Sequence, residues 1–288
     1  MLDTTRAYLE IKPNKKLDKI QWKEHISFTS FGVKISVRVD TEGFLEQIHK
    51  LLTPFAVLTA QHESTDFLYS VIIAKSQNHY SFIYRNGEQI SKQISRNDFI
   101  SNLEVYFQTA TANFAVNHGI FLHAGAVAWK NKGIIIPANS YDGKTTLTAE
   151  FTKLGATYFS DEYAIINSNG ELLPYPKTLS IRKPDEYDQK ETTVEEIGGK
   201  SAELNSCVPV KLVLLAKFSK STKTWKPKQL TQASATLELM KHTFPLRTFP
   251  EIVVGNLHNL TKNAIVLKGN RGEAKEFAQL IINYLEKI

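Results

Sequence analysis

A short segment near the middle of the chain combines residue types that bind phosphate groups. It follows an apolar run at 133 to 137, Gly-Ile-Ile-Ile-Pro, and precedes a segment with helical composition at 147 to 156. A loop between a strand and a helix directs backbone N–H groups and the positive end of the helix dipole toward an anion. We therefore predict a nucleotide-binding phosphate loop here. Its residues are Ala138, Asn139, Ser140, Tyr141, Asp142, Gly143, Lys144, Thr145 and Thr146.

Three of these residues fit the Walker A pattern GxxxxGK(S/T), Ala138 departs from it, and Asp142 is unfavourable within it. Lys144 would reach the β- and γ-phosphates, the Thr145 hydroxyl would ligate Mg²⁺, and Gly143 permits close backbone approach. Ala138 stands where the pattern has glycine, and the carboxylate of Asp142 would repel a triphosphate unless it points outward or meets Mg²⁺. These two features favour the alternative of a nucleotide-binding protein that has lost turnover.

Two adjacent carboxylates follow in the next predicted strand, at 157 to 166. Asp161 and Glu162 could hold Mg²⁺ together with Thr145, or accept a proton from an attacking hydroxyl group. The alternative interpretation is that either carboxylate caps a turn. Beside a phosphate loop, the pair predicts a divalent metal site and a general base.

Four segments together resemble the C-terminal kinase domain of HPr kinase/phosphorylase and its relatives, which include enzymes of peptide-modifying gene clusters. The segments are FLHAGAV (121 to 127), PANSYDGKTTL (137 to 147), GATYFSDEYAII (155 to 166) and PYPKTLSIRK (174 to 183). The resemblance is close from about 120 to 185 and loose beyond. The part before it does not resemble the N-terminal domain of true HPr kinases, which argues against HPr as the acceptor.

The resemblance also implies roles for individual residues. Asp161 corresponds to the catalytic aspartate that deprotonates the acceptor, and His123 to a histidine near the transferred phosphate. Arg182 would neutralise charge on the phosphoryl group, with Arg247 as a weaker candidate of the same kind. Two structural alternatives stay open: His123 as a core histidine bonded to backbone, and Arg182 in a surface salt bridge.

The pattern of the first part of the chain is that of a small α+β region. Apolar and polar residues alternate at 26 to 40, 67 to 75 and 79 to 90, which predicts an antiparallel sheet with a turn at Asn86-Gly87. Ser95 followed by Asp98 predicts the start of a long helix at 97 to 118. We expect residues 1 to 118 to form this region, with the helix as a brace to the next domain.

Residues 119 to 288 show the order strand, glycine-bearing turn, helix, strand that is typical of an α/β core. The nearly continuous apolar run at 208 to 218 predicts a central strand, the basic segment at 219 to 229 an exposed loop, and residues 273 to 288 a closing helix. The predicted fold is a P-loop kinase core of the HPr kinase and phosphoenolpyruvate carboxykinase type.

Composition excludes several classes of protein. Of 288 residues, 42% are apolar and 22% charged, which is the mixture of a packed globular protein. The net charge of +6 suits an anionic ligand such as a nucleotide, but no motif for nucleic-acid binding accompanies it. The single cysteine, Cys207, cannot form an internal disulfide, and no apolar run has the length of a membrane span. We predict a cytoplasmic protein without nucleic-acid or membrane partners.

The sequence thus predicts an ATP- and Mg²⁺-dependent kinase that transfers a phosphoryl group to a hydroxyl acceptor. The expected partners are a nucleotide and either a serine or threonine of a peptide or protein, or a small hydroxylated metabolite. A homo-oligomer is compatible with the resemblance. The alternative is a nucleotide-binding regulatory or scaffold protein with a non-catalytic loop.

Overall fold

The structure is a computed structural model that describes residues 9–52, 56–59, 64–76, 79–138, 142–182 and 189–287. The chain divides into two compact units, Met1–His118 and Gly119–Ile288. Each unit contains its own sheet and helices, so the protein is of the mixed α/β class. Within the described ranges, no helix is both long and apolar enough to cross a membrane.

In its described residues, the first unit is built on a six-stranded sheet with two helices of eight or more residues. Its strand order is β3-β1-β2-β4-β5-β6, and neighbours are antiparallel except for the parallel pair β2 and β4. The elements are β1 (Glu24–Ser30), β2 (Val33–Val39), α1 (Leu45–Leu52), β3 (Ala56–Thr59), β4 (Phe67–Ile72), β5 (Ser81–Arg85), β6 (Glu88–Gln93) and α2 (Arg96–Phe114).

The segment predicted as one strand at 26 to 40 is two strands joined by a tight turn. Phe31 and Gly32 adopt positive φ angles of 47° and 78°, which reverse the chain between β1 and β2. Because apolar and polar residues alternate both before and after the turn, the periodicity alone did not reveal the turn between β1 and β2. The predicted turn at Asn86-Gly87 is confirmed, with φ angles of 50° and 86° between β5 and β6.

Helix α2 packs on the sheet of the first unit through aromatic side chains. Phe107 makes edge-to-face contacts with Phe28 and Tyr69, at ring-centroid distances of 5.4 and 5.0 Å. The helix begins as predicted, because the Ser95 hydroxyl accepts a hydrogen bond from the backbone N–H of Asp98. It ends at Phe114, four residues before the predicted end.

The second unit has a nine-stranded sheet and a separate pair of strands, β12 and β13. Its elements are β7 (Ile120–Trp129), β8 (Lys132–Pro137), α3 (Lys144–Lys153), β9 (Thr157–Ser160), β10 (Tyr163–Ile166), β11 (Glu171–Leu173), β12 (Leu179–Arg182), β13 (Gln189–Thr192), β14 (Lys200–Ser201), β15 (Val208–Phe218), β16 (Lys228–Gln229), α4 (Gln232–Met240), α5 (Pro250–Asn263), β17 (Ile265–Arg271) and α6 (Ala274–Leu285).

Three parallel strands, β8, β15 and β17, form the centre of this unit. Helices α4 and α5 cover one face of the sheet, and α3 and α6 cover the other. The predicted central strand at 208 to 218 is confirmed, and its nearly continuous apolar run follows from burial on both faces. The carboxyl ends of the parallel strands meet at one edge, where ligands bind in open α/β sheets.

The segment predicted as one strand at 157 to 166 is interrupted at Asp161 and Glu162. Strands β9 and β10 lie one after the other along β7, with Ser160 opposite Ala126 and Tyr163 opposite His123. Because of this interruption, Asp161 and Glu162 do not follow the strand pattern in which successive side chains lie on opposite faces of the sheet. Helix α3 also begins at Lys144, three residues before the start of the segment read as helical in the sequence.

Candidate active site

The predicted phosphate loop ends at the first turn of α3. Gly143 is the N-cap residue, with a left-handed φ of 79°, and its carbonyl accepts the hydrogen bond from the N–H of Leu147. No side chain of the described residues caps this turn. The first N–H groups of a helix lack partners within the helix, so this turn can bind an anion. Residues 139 to 141 lie outside the described residues, and Ala138 is buried at the end of β8.

Lys144, the first residue of α3, is half-buried. Its Nζ atom lies 3.2 Å from Nε2 of His123. Burial lowers the pKa of Lys144, while the negative charges of Glu162 and Asp161 oppose this shift. The ammonium group therefore lies beside a histidine, close to the start of the helix, and interacts electrostatically with two carboxylates.

Asp161 is almost completely buried, with 5% of its surface exposed, and is incompletely hydrogen bonded. A hydrogen bond joins its carboxylate to the Thr145 side chain, but Oδ1 has no hydrogen-bond partner among the described residues. Burial raises the pKa of Asp161 to about 6, against the opposing charge of Lys144. A buried carboxylate oxygen without a partner is costly, and such groups concentrate at functional sites.

His123 connects Lys144 to Glu162. Its Nδ1 atom lies 3.4 Å from Oε1 of Glu162, and Nε2 faces the ammonium of Lys144. Because the ammonium can only donate, this arrangement fits a neutral imidazole with its proton on Nδ1. Burial alone would raise the pKa of Glu162, but the His123 hydrogen bond and the charge of Lys144 lower it overall. The His123 ring therefore bonds to site residues, which contradicts the alternative of a core histidine bonded to backbone.

The oxygen atoms of this cluster suit Mg²⁺ that is also bound by substrate phosphates and water, rather than a metal bound by protein ligands alone. The described residues contain no group of three or more His, Cys, Asp or Glu side chains able to hold a metal. Mg²⁺ is usually bound by one or two protein oxygens together with substrate phosphates and water. Asp161 and the Thr145 hydroxyl provide such oxygens, whereas Glu162 is engaged with His123.

The remaining predicted site residues lie on other elements or at the edge of the described loop. Arg182 ends β12 opposite Gln189, and its side chain lies outside the described residues. Arg247 is exposed in a 3₁₀ turn and makes no ion pair with a described residue. Asp142 is half-buried, and its charge acts to raise the pKa of His242, which burial lowers.

Arg271, at the end of β17, contacts the phosphate loop and was not found from the sequence. One guanidinium nitrogen donates to the carbonyl of Gly143 at 2.9 Å, and the other donates to the carbonyl of Gly272 at 2.9 Å. The residue is 2% exposed. The only sequence signal is an arginine before a glycine after an apolar segment, which by itself indicates no site.

Gly125 in β7 provides space beneath the first turn of α3. A Cβ atom at this position would lie 2.2 Å from Oγ1 of Thr148 and 3.3 Å from Cγ of Lys144. We expect Gly125→Ala to lower the free energy of unfolding by about 1–3 kcal/mol, since the buried neighbours must shift. Urea unfolding would measure this change.

A matched substitution distinguishes crowding at Gly125 from a general effect of replacing glycine. Gly255 lies within α5, and a Cβ atom there would meet no atom within 4 Å. Gly255→Ala should therefore stabilise the protein by about 0.5–1 kcal/mol. Equal changes in the two variants would contradict the close packing described for Gly125.

Comparison with known proteins finds a weak structural similarity without support from sequence families. No family model matches the chain, and no curated protein matches it. Among solved structures, the HPr(Ser) kinase/phosphatase from Coxiella burnetii matches with 14% sequence identity and a TM-score of 0.36. The match covers 58% of this chain and 94% of that chain. The likeness is too distant to carry conclusions about activity, which must come from the site itself.

Proposed function

We propose that the protein is a phosphotransferase that uses ATP and Mg²⁺ to phosphorylate a hydroxyl group. The observation that supports this function best is the buried Asp161 carboxylate, with an unpartnered oxygen, beside Lys144 and Thr145 at an uncapped helix start. An uncapped N-terminus binds phosphate, a lysine neutralises it, and a carboxylate with a raised pKa is suited to take a proton.

The donor nucleotide would bind at the first turn of α3. The N–H groups of Lys144 and Thr145 belong to this turn and lack intrahelical partners. The ammonium of Lys144 adds a positive charge whose direction is fixed by His123 at 3.2 Å. Because His123 is in turn bonded to Glu162, the lysine is positioned before the nucleotide arrives, which reduces the entropy lost on binding.

Asp161 would act on the acceptor. A carboxylate whose pKa is about 6 is mostly ionised at neutral pH, yet it is more basic than an ordinary aspartate. It can therefore accept the proton of an attacking hydroxyl group while Lys144 stabilises charge on the transferred phosphoryl group. The acceptor classes are those predicted from the sequence: a serine or threonine of a peptide or protein, or a small hydroxylated metabolite.

Mg²⁺ would neutralise charge on the β- and γ-phosphates. Thr145 and Asp161 are the residues of this chain that would hold it, and Glu162 would support the site through His123 and Lys144. Asp161 thus has two proposed roles, metal ligand and base, which its asparagine variant can separate.

Calorimetric titration of the protein with MgATP tests the donor site directly. We expect binding that depends on Mg²⁺ and is competed by MgADP, followed by transfer of labelled γ-phosphate to hydroxyl-bearing peptides or to a metabolite extract. Binding without transfer or hydrolysis would favour the non-catalytic nucleotide-binding alternative, in agreement with Ala138 and Asp142 in the loop. Absence of MgATP binding would contradict both functions.

A further inference from the structure

We propose that Arg271 is a positioning residue of the phosphate loop, which fixes the left-handed turn at Gly143 and supplies a buried positive charge beside the donor site. This inference rests on the proposed function, because it concerns the same nucleotide site. It adds a residue from a strand far along the chain, 128 positions from Gly143, that no loop motif contains.

The position of the guanidinium is determined by two carbonyl groups. It donates to Gly143 and Gly272, each at 2.9 Å, and lies over the ring of Phe218 with a distance of 5.4 Å to the ring centroid. The Gly143 carbonyl also accepts the first hydrogen bond of α3 from Leu147. Arg271 therefore holds the peptide group from which the helix starts, and this peptide group sets the direction of the following N–H groups.

The charge of Arg271 is not neutralised by an adjacent carboxylate. Among the described residues it makes no ion pair, and its Nε atom is buried without a hydrogen-bond partner. Burial lowers the pKa of Arg271, and the negative charge of Glu273, two residues along the chain, opposes this shift. A buried cation is normally paired with an anion because leaving it unpaired is costly. The phosphates of a bound nucleotide are the anions that this place in the fold would provide.

Gly143 and Arg271 also exclude any larger side chain from the turn. A Cβ atom on Gly143 would lie 2.5 Å from the guanidinium nitrogen of Arg271 that donates to the Gly143 carbonyl. The glycine is therefore required for two reasons: its φ of 79° and the position of the arginine. Only the second reason disappears when Arg271 is shortened, which makes the pair suitable for a double-mutant cycle.

The test is a double-mutant cycle that compares wild type, Arg271→Met, Gly143→Ala and the double variant. The affinity of each full-length protein for MgATP is measured by calorimetry. Arg271→Met should weaken binding by about tenfold or more, the loss typical of a hydrogen bond from a charged donor. Gly143→Ala should weaken binding strongly in the wild-type background and at least about threefold less in the Arg271→Met background. Arg271→Lys should recover part of the affinity because the charge is kept.

Lys217→Met is the matched control, since it removes one positive charge from an exposed residue of the neighbouring strand β15. Its affinity should stay within twofold of wild type. Equal factors for Gly143→Ala in both backgrounds, or wild-type affinity of Arg271→Met, would overturn the proposal. If thermal unfolding shows that Arg271→Met does not fold, the cycle with Arg271→Lys gives the same two outcomes. Failure of the wild-type protein to bind MgATP would instead overturn the proposed function.

Discussion

Lys144→Ala is expected to reduce the affinity for MgATP by about 100-fold or more and to abolish phosphoryl transfer. The ammonium is the cation that His123 directs at 3.2 Å toward the start of α3, and charge-assisted bonds to phosphate are among the strongest in proteins. Asp161 and Glu162 would also lose their nearest cation, so their pKa values should rise. Calorimetry and a γ-phosphate transfer assay measure the two effects.

Lys153→Ala is the control for this variant. Lys153 is the last residue of the same helix, is exposed, and forms an ion pair with Glu150 of the same helix. Its removal should leave nucleotide affinity unchanged and alter stability by less than about 0.5 kcal/mol. If Lys144→Ala kept both affinity and turnover, the assignment of the phosphate site to this helix would be wrong.

Asp161→Asn is expected to slow phosphoryl transfer by roughly 10²- to 10⁴-fold while it stabilises the fold. The amide keeps the shape of the side chain but cannot accept the acceptor's proton, and general base catalysis contributes about this factor. If Asp161 acts mainly as the base, MgATP affinity should stay within a few-fold. If it acts mainly as a metal ligand, affinity and Mg²⁺ dependence should fall together.

The stabilisation follows from the raised pKa of Asp161, about 6 in the fold against an ordinary 3.8. Between about pH 4 and pH 6 the folded protein binds more protons than the unfolded chain, so its stability falls as pH rises through this interval. The full penalty is present above pH 6, and the neutral amide removes it. Asp161→Asn should therefore raise the free energy of unfolding at pH 7 by about 1–3 kcal/mol.

Denaturant unfolding at pH 4 and at pH 7 tests this sign. From pH 4 to pH 7, the free energy of unfolding of wild type should fall relative to that of the variant. An equal difference between the two proteins at both pH values would show that burial does not penalise the charged form of Asp161. Transfer at near the wild-type rate would remove Asp161 as the base and make Glu162 the next candidate. Circular dichroism confirms that the variant is folded before either comparison is made.

The proximity of the core residues of the candidate site was predictable because they come from consecutive elements, and the strands β8 and β9 both pair with β7. Lys144 and Thr145 begin the helix that follows β8, and Asp161 directly follows the next strand, β9, so short connections keep them together. The resemblance to the HPr kinase family added His123, whose side chain contacts Lys144. The roles of all the predicted site residues stay predictions, and loop residues 139 to 141 and the Arg182 side chain lie outside the described residues.

Two further features could not be read from the sequence. The break between β9 and β10 leaves the apolar pattern on both sides unchanged, so the strand prediction passed over it. Arg271 reaches Gly143 only because β17 pairs with β15, and β15 pairs in turn with β8. A contact that depends on two successive strand pairings leaves no local pattern in the sequence. A residue such as Arg271 is therefore found only when the order of the strands is known.

This long-range pairing determines when the site can form during protein synthesis. The loop, the acidic pair and His123 lie within about forty residues of each other, but the arginine that holds the Gly143 carbonyl follows 128 residues after it. A ribosome adds residues one by one, so the loop has no contact with Arg271 until β17 has left the exit tunnel and joined the sheet. High-affinity nucleotide binding at the proposed site should therefore appear only after β17 has been synthesised, and it would report the docking of β17 rather than the folding of the loop alone.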